Sequence, residues 1–254
     1  MRILRIEHEG LAHFARSSHE GDLELLSGAP WAGGQPTGQQ ADLSAIRLLE
    51  PVVPTKIVCI GRNYAAHAKE LGNEVPGEPL LFLKPPSSLL APGDAIVLPA
   101  ASQRVEHEAE IGIVIGQRIR HASPERALEA VFGVTAVNDV TARDLQRKDV
   151  QFTRGKGFDT FCPVGPWIAA GLSLAELTVT GRVNGQVRQQ GRVEQMVFPI
   201  AQLISFISHV MTLEPGDLIA TGTPEGVGPL VPGDSVEIEV SGVGVLRNGV
   251  VRGD

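Results

Sequence analysis

Apolar and polar positions alternate in short runs along most of the chain, which predicts many short strands separated by turns. The N-terminal stretch "MRILRIEHEGLAHFA" predicts a strand, a turn at Gly10 and a second strand. The tripeptide Pro-Gly-Asp begins at Pro92, Pro215 and Pro232, and each copy precedes a β-rich run. Because Pro and Gly supply the dihedral angles of tight turns, we interpret these copies as strand-entry turns. Their irregular spacing argues against a repeat architecture.

Three segments have helical periodicity instead. "NYAAHAKEL" predicts a helix with Asn63 as its N-cap, while "SPERALEAVFG" and "FPIAQLISFISHVMTL" each carry a Pro in the first turn. The rest of the chain predicts short strands, so we expect a β-rich α+β fold. The Pro-containing stretch "PVVPTK" predicts a boundary between a small N-terminal β-rich unit at residues 1–54 and a larger domain at residues 55–254.

Composition narrows the classes of function. The 254 residues are 43% hydrophobic but only 4% aromatic, which is typical of a globular chain with an aliphatic core. The net charge of −7 argues against a nucleic-acid partner, since that binding needs clustered Lys and Arg. No apolar run approaches the ~20 residues that span a bilayer, so we expect no membrane partner. Cys59 and Cys162 lie in apolar segments and the N-terminus lacks an apolar signal region, which predicts a reducing, cytoplasmic location.

The segment "VEHEAEIGIVIG" places three glutamates at alternate positions before an apolar run. Because strand side chains alternate between faces, Glu106, Glu108 and Glu110 would project together, with i and i+2 neighbours about 7 Å apart. Two carboxylates at this spacing can converge on one cation, and oxygen ligands favour Mg²⁺, Mn²⁺ or Ca²⁺ over Zn²⁺. For this segment alone, a solvated strand end with its glutamates in water is an equally good interpretation.

Asp139 and Lys156 are candidates with competing interpretations. Asp139 ends the apolar run "VFGVTAVND", where ligands often bind, but capping of the next helix by Asn138 or Asp139 is the stronger interpretation from these residues alone. Lys156 lies between two glycines, so its amine could approach a ligand closely. The glycine spacing before it does not match a phosphate loop, and a surface turn lysine is the alternative.

His67 and Glu70 are i and i+3 on the predicted helix, and therefore lie on one face. A carboxylate beside an imidazole orients it and raises its basicity, as a general base requires, although such pairs are common on helix surfaces. The loop "TGTPEGVGPL" could hold a carboxylate through hydroxyl and amide groups, or be a plain loop. The absence of GxSxG, HExxH, CxxC and GxGxxG leaves serine hydrolases, zincins and dinucleotide enzymes unsupported.

Six motifs in a characteristic order carry a resemblance to a known family. They are "GRNYAAHAKE", "FLKPPSS", "EHEAEIGIVIG", "NDVTARDLQ", "GKGFDTFCPVGP" and "ATGTPEGVGP". From about Ile57 to its end, the chain resembles the fumarylacetoacetate hydrolase family, especially its smaller members. These are acylpyruvases, fumarylpyruvate hydrolases, oxaloacetate decarboxylases and isomerases of 2-hydroxyhepta-2,4-diene-1,7-dioate. The resemblance implies a mixed β-sandwich roll, usually a homodimer, with a variable N-terminal region.

The resemblance implies Mg²⁺ or Mn²⁺ as cofactor and a small 2-oxo or 2,4-diketo acid as substrate. Glu108, Glu110 and Asp139 match the metal ligands, which leaves Glu106 without a role. The other matching residues are the catalytic dyad His67 and Glu70, the oxyanion-stabilising Lys156, the substrate-oxygen ligands Arg143 and Gln146, and the substrate-carboxylate contact Thr223.

One departure from the family pattern narrows the resemblance. The large fumarylacetoacetases carry an acidic metal ligand shortly before the histidine, but here that stretch is Cys59, Ile60 and Gly61. The sequence therefore resembles the small members, with three protein ligands for the metal. The implied activity is hydrolytic C–C cleavage of an acylpyruvate such as fumarylpyruvate or acetylpyruvate. Decarboxylation of an oxaloacetate-type acid, isomerisation of a dienedioate, non-catalytic binding of metal and 2-oxo acid, and a purely structural β-protein are the alternatives.

Overall fold

A computed structural model describes residues 1–17, 22–42 and 46–253 of the chain. Most of the regular structure is short strands, as the alternating pattern predicts, so the β-rich α+β class is confirmed. Among the helices in these ranges, none has the length and apolar character needed to cross a bilayer. The helices are α1 (Ala65–Glu70), α2 (Pro124–Glu129), α3 (Arg143–Asp149), α4 (Thr153–Lys156) and α5 (Ile200–Val210).

The strands run through the whole chain, and their bounds are as follows. They are β1 (Arg2–His8), β2 (Leu11–Ser17), β3 (Glu24–Leu26), β4 (Pro36–Gln40), β5 (Arg47–Leu48), β6 (Ile57–Gly61), β7 (Leu80–Lys84), β8 (Leu89–Leu90), β9 (Ala95–Leu98), β10 (Val105–His107), β11 (Ala109–Ile115), β12 (Val131–Asn138), β13 (Thr141–Ala142), β14 (Cys162–Ala169), β15 (Thr178–Val183), β16 (Gln186–Arg192), β17 (Leu218–Ala220), β18 (Gly228–Pro229), β19 (Ser235–Val240) and β20 (Gly244–Arg252). Each Pro-Gly-Asp turn leads into a strand, namely β9, β17 or β19, as predicted.

One large mixed sheet contains the strand that carries the glutamates. Its order is β4-β3-β2-β1-β14-β12-β11-β17-β6-β7, with β5 beside β1 and β8 beside β14. Strand β11 pairs antiparallel with β12 on one side and with β17 on the other, whereas β17 and β6 are parallel. Every residue of β11 is buried, so its apolar run forms a central strand.

A five-stranded sheet, β16-β15-β19-β20-β9, packs against one face of the large sheet. Ile111, Ile113 and Val134 from the large sheet share one core with Val179 and Ile238 from the smaller one. Branched aliphatic side chains dominate this core because the chain has few aromatic residues. Two sheets with a shared apolar layer form the mixed β-sandwich that the resemblance implies.

The N-terminal strands are continuous with the large sheet. Strands β1 and β2 form the predicted hairpin around Gly10, and β1 pairs with β14 through Ile3 and Ile168. Ile3 and the partly buried Trp31 also contribute to a second apolar cluster that includes Val114 of β11. The division of the chain at residues 54 and 55 stays a prediction.

Helix α1 is shorter than the sequence predicts, because it begins at Ala65 with Tyr64 as its N-cap. The prediction of Asn63 as the cap is wrong. Its side-chain amide donates to the carbonyl oxygens of Phe198 and Thr221, and its oxygen accepts from the Phe198 amide. Asn63 is fully buried, and the backbone groups that approach it need partners, so tertiary contacts override the local capping preference.

Candidate active site

The three predicted metal ligands lie together at the junction of β11 and β12. Glu108 lies between β10 and β11, Glu110 lies on β11, and Asp139 directly follows β12. The antiparallel register places Ala109 opposite Asn138, so the acidic ends of the two strands meet. One oxygen from each carboxylate lies within 4.8 Å of the others, and all three side chains are buried. We call these three residues the carboxylate triad.

The carboxylate triad fits a divalent metal ion. Burial raises the pKa of Glu110 well above its usual range, and the charges of Asp139 and Glu108 raise it further. Full ionisation of the triad therefore needs additional positive charge close by. Oxygen-only ligands fit Mg²⁺ or Mn²⁺ better than Zn²⁺. The alternative of a solvated strand end is wrong, because Glu108, the most accessible member, is only 4% exposed.

Two buried lysines flank the triad. Lys156 Nζ donates to Glu108 Oε2 and to Asp139 Oδ2, each at 2.7 Å. Lys84 Nζ donates to Asp139 Oδ1 at 2.6 Å and to the Val140 carbonyl oxygen at 3.0 Å. Burial opposes the charge on Lys156, but Asp139 and Glu108 outweigh it and raise the pKa of the amine. Lys156 is therefore a buried cation, and its interpretation as a surface turn lysine is wrong.

Asn138 and Asp139 make contacts at the carboxylate triad and do not cap helix α3. Asn138 Oδ1 accepts the Glu108 amide at 3.0 Å, and both oxygens of Asp139 bind lysines. The N-cap of α3 is Ala142, which makes no side-chain capping bond. The capping interpretation of Asn138 and Asp139 is wrong because both side chains already have partners near the triad.

Glu106, which the resemblance leaves without a role, binds two arginines. Arg143 Nε donates to its Oε2 at 2.7 Å, and Arg104 Nε donates to its Oε1 at 2.6 Å. Arg143 also donates to Glu108 and, at 2.7 Å, to Gln146 Oε1. Burial opposes ionisation of Glu106, but the arginines outweigh it and lower the pKa of the carboxyl. Glu106 thereby anchors the side chain of Arg143, the first residue of α3, beside the triad.

His67 and Glu70 make the predicted contact on α1. His67 Nδ1 lies 3.2 Å from Glu70 Oε2. The other oxygen, Oε1, accepts the Gly226 amide at 3.0 Å, which ties α1 to the loop after β17. His67 is only 4% exposed, so the interpretation as an ordinary helix-surface pair is wrong.

The loop after β17 holds a carboxylate of the protein itself. The Gly222 amide donates to Glu110 Oε2 at 2.8 Å. Gly222 has φ +103°, and an added Cβ would lie 2.7 Å from a neighbouring side chain, so only glycine fits there. The Thr223 hydroxyl donates to the Ala109 carbonyl oxygen at 2.9 Å and accepts from Gln189 Nε2 at 2.7 Å. Contact of Thr223 with a substrate carboxylate stays a prediction.

Most of the predicted site residues line one cavity of about 430 Å³, a size typical of small-molecule sites. Of the predicted site residues, only Glu70 and Asp139 do not line it, and each contacts one that does, His67 and Lys156 respectively. Apolar walls are supplied mainly by Ile60, Leu71, Phe82, Val150 and Phe152. The predicted site residues that line the cavity are His67, Glu108, Glu110, Arg143, Gln146, Lys156 and Thr223.

Three buried residues support the site although no role was predicted for them: Glu106, Lys84 and Gln189. Gln189 Oε1 accepts the Ala109 amide at 2.9 Å, and its Nε2 donates to Thr223 Oγ1 at 2.7 Å. A lysine that ends the apolar run "LLFLK" was the available signal for Lys84. Gln189 lies in the polar stretch "GQVRQQGR", where nothing distinguishes it from its neighbours.

The fold and site together define a β-sandwich protein with a buried carboxylate triad that fits a metal ion beside a His–Glu pair. The family model described as fumarylacetoacetate (FAA) hydrolase C-terminal matches residues 56–251. A second model, described as Rv2993c-like, N-terminal, matches residues 1–51. The chain belongs to the fumarylacetoacetate hydrolase family.

Its relatives include enzymes that act on small organic acids. The mitochondrial oxaloacetate decarboxylase of Dictyostelium discoideum is 46% identical, over 74% of this chain and 89% of that protein. The human mitochondrial oxaloacetate tautomerase FAHD2A is 44% identical, over 82% of this chain and 70% of its own. The crystal structure of 2-hydroxyhepta-2,4-diene-1,7-dioate isomerase from Mycobacterium marinum is 41% identical with a TM-score of 0.92, over 99% and 98% of the two chains. The family fold is therefore confirmed.

Proposed function

We propose that this protein is a divalent-metal-dependent enzyme that cleaves a C–C bond of an acylpyruvate, such as fumarylpyruvate or acetylpyruvate, by hydrolysis. The observation that carries the proposal is the meeting of the carboxylate triad, Lys156 and the His67–Glu70 dyad around one cavity. Mg²⁺ or Mn²⁺ held by Glu108, Glu110 and Asp139 would supply Lewis-acid polarisation of the substrate oxygens.

His67 supplies the base. Glu70 occupies Nδ1, which leaves Nε2 to take a proton from water. The hydroxide so formed adds to the acyl carbonyl carbon. The bond from that carbon to the methylene then breaks, its electron pair goes to the pyruvate fragment as an enolate, and the proton held by His67 is delivered to that fragment. The products are a carboxylic acid and pyruvate.

Lys156, Gln146 and Arg143 stabilise the oxygen that gains charge. Two of the three N–H bonds of Lys156 point to carboxylates, so the third remains for an oxyanion. Gln146 accepts from Arg143 through Oε1, which leaves its NH₂ group to donate. Donors that are already held in place need no reorganisation as the charge develops.

Decarboxylation or tautomerisation of oxaloacetate is the second candidate. The relatives named for these reactions, 46% and 44% identical, favour it. Loss of CO₂ from a β-carboxylate yields the same type of enolate without an attacking water. Tautomerisation, like isomerisation of a dienedioate, requires proton transfer, which His67 could perform.

The test is a turnover screen that follows pyruvate release from acetylpyruvate, fumarylpyruvate and oxaloacetate with Mg²⁺ or Mn²⁺. We expect release from the diketo acids that EDTA abolishes and that His67→Ala slows about 10²–10⁴-fold, with unchanged Mn²⁺ affinity. Release from oxaloacetate alone, above the enzyme-free rate, would support decarboxylation. Metal binding without pyruvate release would support a proton-transfer reaction if an absorbance assay shows accelerated enol–keto conversion of oxaloacetate, and a non-catalytic binding protein if it shows none. The predicted homodimer is checked on the same sample by sedimentation.

A further inference from the structure

Four cationic side chains line the cavity, and two of them are committed to carboxylates of the protein. Arg143 binds Glu106 and Glu108, and Lys156 binds two members of the carboxylate triad. Arg62 and Arg147 make no side-chain hydrogen bond or ion pair within residues 1–17, 22–42 and 46–253. Their positive charge is therefore available to a ligand in the cavity. We call Arg62 and Arg147 the mouth arginines.

The mouth arginines belong to two different elements that border the cavity. Arg62 directly follows β6 and precedes the helix that carries His67. Arg147 lies one turn beyond Arg143 on α3, so both share a helix face. Arg62 is half-buried and Arg147 is exposed, whereas Arg143 and Lys156 are buried. The free charges thus lie at the outer part of the cavity, and the committed charges lie beside the triad.

The backbone of Arg62 is strained. Its φ of +58° is in the left-handed region, which a non-glycine residue avoids. Such conformations persist where surrounding contacts enforce them, and they cluster at ligand sites. The contacts that enforce this conformation fix the backbone of Arg62 on the cavity wall.

We propose that the mouth arginines bind the second carboxylate of a dicarboxylic 2-oxo acid and so select diacids over monoacids. This inference rests on the proposed function, because it places the 2-oxo acid end of the substrate at the triad. A guanidinium matches a carboxylate through two parallel hydrogen bonds, which makes arginine suited to this contact. Among the candidate substrates, fumarylpyruvate carries such a carboxylate and acetylpyruvate does not.

The proposal also distinguishes the reactions of diacids. An arginine-bound carboxylate is stabilised as the anion in the ground state, which opposes its loss as CO₂. The mouth arginines therefore favour a diacid whose far carboxylate survives the reaction. Hydrolysis of a fumarylpyruvate-like diacid meets that condition.

A matched ligand pair separates binding of the far carboxylate from catalysis. The five-carbon acids 2-oxoglutarate and 2-oxopentanoate differ only in a terminal carboxylate or methyl group, and neither has an acyl group to cleave. Calorimetry on Mn²⁺-loaded protein should show 2-oxoglutarate binding about 10- to 100-fold more tightly. In the double variant Arg62→Met, Arg147→Met this ratio should fall to about one, and Arg62→Lys should keep part of it. Methionine retains a Cβ at position 62, so the backbone strain is unchanged.

Arg126→Met is the control, because Arg126 is exposed on α2 and does not line the cavity. It should keep the wild-type ratio. A second readout is the ratio of kcat/KM for fumarylpyruvate over acetylpyruvate, which should fall by the same factor in the double variant. A wild-type ratio near one, or a ratio that the double variant leaves unchanged, would overturn the role of the mouth arginines but leave the proposed function intact. Absence of metal-dependent binding of either acid would also overturn the role of the mouth arginines, whereas absence of metal-dependent turnover of both fumarylpyruvate and acetylpyruvate would overturn the proposed function.

Discussion

Glu106 on β10 and Glu110 on β11, the first and last glutamates of the segment "EHEAE", have opposite electrostatic environments. Glu106 is bound by Arg104 and Arg143, which lower its pKa despite burial. Burial and the charges of Asp139 and Glu108 raise the pKa of Glu110. The protein therefore neutralises Glu106 itself and leaves Glu110 in need of a cation. The same residue type anchors an arginine on β10 and belongs to the carboxylate triad on β11.

Replacement of Glu110 should weaken metal binding by the carboxylate triad, and this is the largest effect that we expect. In Glu110→Gln one anionic ligand becomes neutral at nearly constant shape. We expect Mn²⁺ affinity to fall more than about 100-fold, measured by calorimetry on EDTA-treated protein. Glu106→Gln is the matched control and should keep the wild-type affinity. Wild-type Mn²⁺ binding by Glu110→Gln would place the metal outside the triad.

Metal removal tests the proposed metal site at the carboxylate triad without a mutation. A metal at 100 times its dissociation constant stabilises the folded state by about 2.7 kcal/mol. Urea unfolding with Mn²⁺ and with EDTA should differ by about this free energy in the wild type and in Glu106→Gln. In Glu110→Gln the difference should nearly vanish. An equal metal effect in all three proteins would contradict the assignment.

Replacement of Gln189 tests whether contacts to the backbone between Glu106 and Glu110 contribute to stability. Gln189 lies on β16 of the five-stranded sheet. Its side chain binds the Ala109 amide, the His107 ring and the Thr223 hydroxyl. Gln189→Leu should lower the free energy of unfolding by about 1–3 kcal/mol, since buried polar groups lose their partner. Denaturant unfolding measures this change. The neighbouring Gln190→Leu is the control, because Gln190 is exposed and should change stability by less than about 0.5 kcal/mol.

Glu106→Gln tests the role of the ion pair between Glu106 and Arg143. Arg143 loses a charged partner while the carboxylate triad stays intact, so we expect kcat/KM to fall about tenfold without loss of Mn²⁺ binding, a cost of about 1.4 kcal/mol. Steady-state kinetics beside calorimetry checks this split. A fall in activity that tracks metal loss would mean that Glu106 acts on the metal instead of on Arg143.

Arg104→Met should have the smallest effect. The Arg104 side chain is 53% exposed, and ion pairs of exposed groups contribute only about 0–1 kcal/mol. Arg143 still neutralises Glu106 in this variant. Activity and stability should therefore stay close to wild type, and a loss as large as that of Glu106→Gln would show that the outer arginine is essential.

Local patterns predicted much of the fold because they depend on local geometry. The hairpin around Gly10 and the three Pro-Gly-Asp turns follow from dihedral preferences and alternation. The family resemblance then pointed to Glu108, Glu110 and Asp139 together, which the separate patterns did not. The Asn63 cap is wrong because a local preference yielded to buried backbone groups from two distant segments.

The sequence by itself determined the alternate spacing of Glu106, Glu108 and Glu110, which predicts a common face for a single strand. The structure divides this segment at Glu108 into β10 and β11, which belong to different sheets. Only the tertiary structure decided that Glu106 meets Arg143 and that Glu110 meets Asp139. Those neighbours come from the pairing of β11 with β12 and from the packing of α3. The charge state and chemistry of a carboxylate depend on the atoms around it, and for this segment distant parts of the chain supply them.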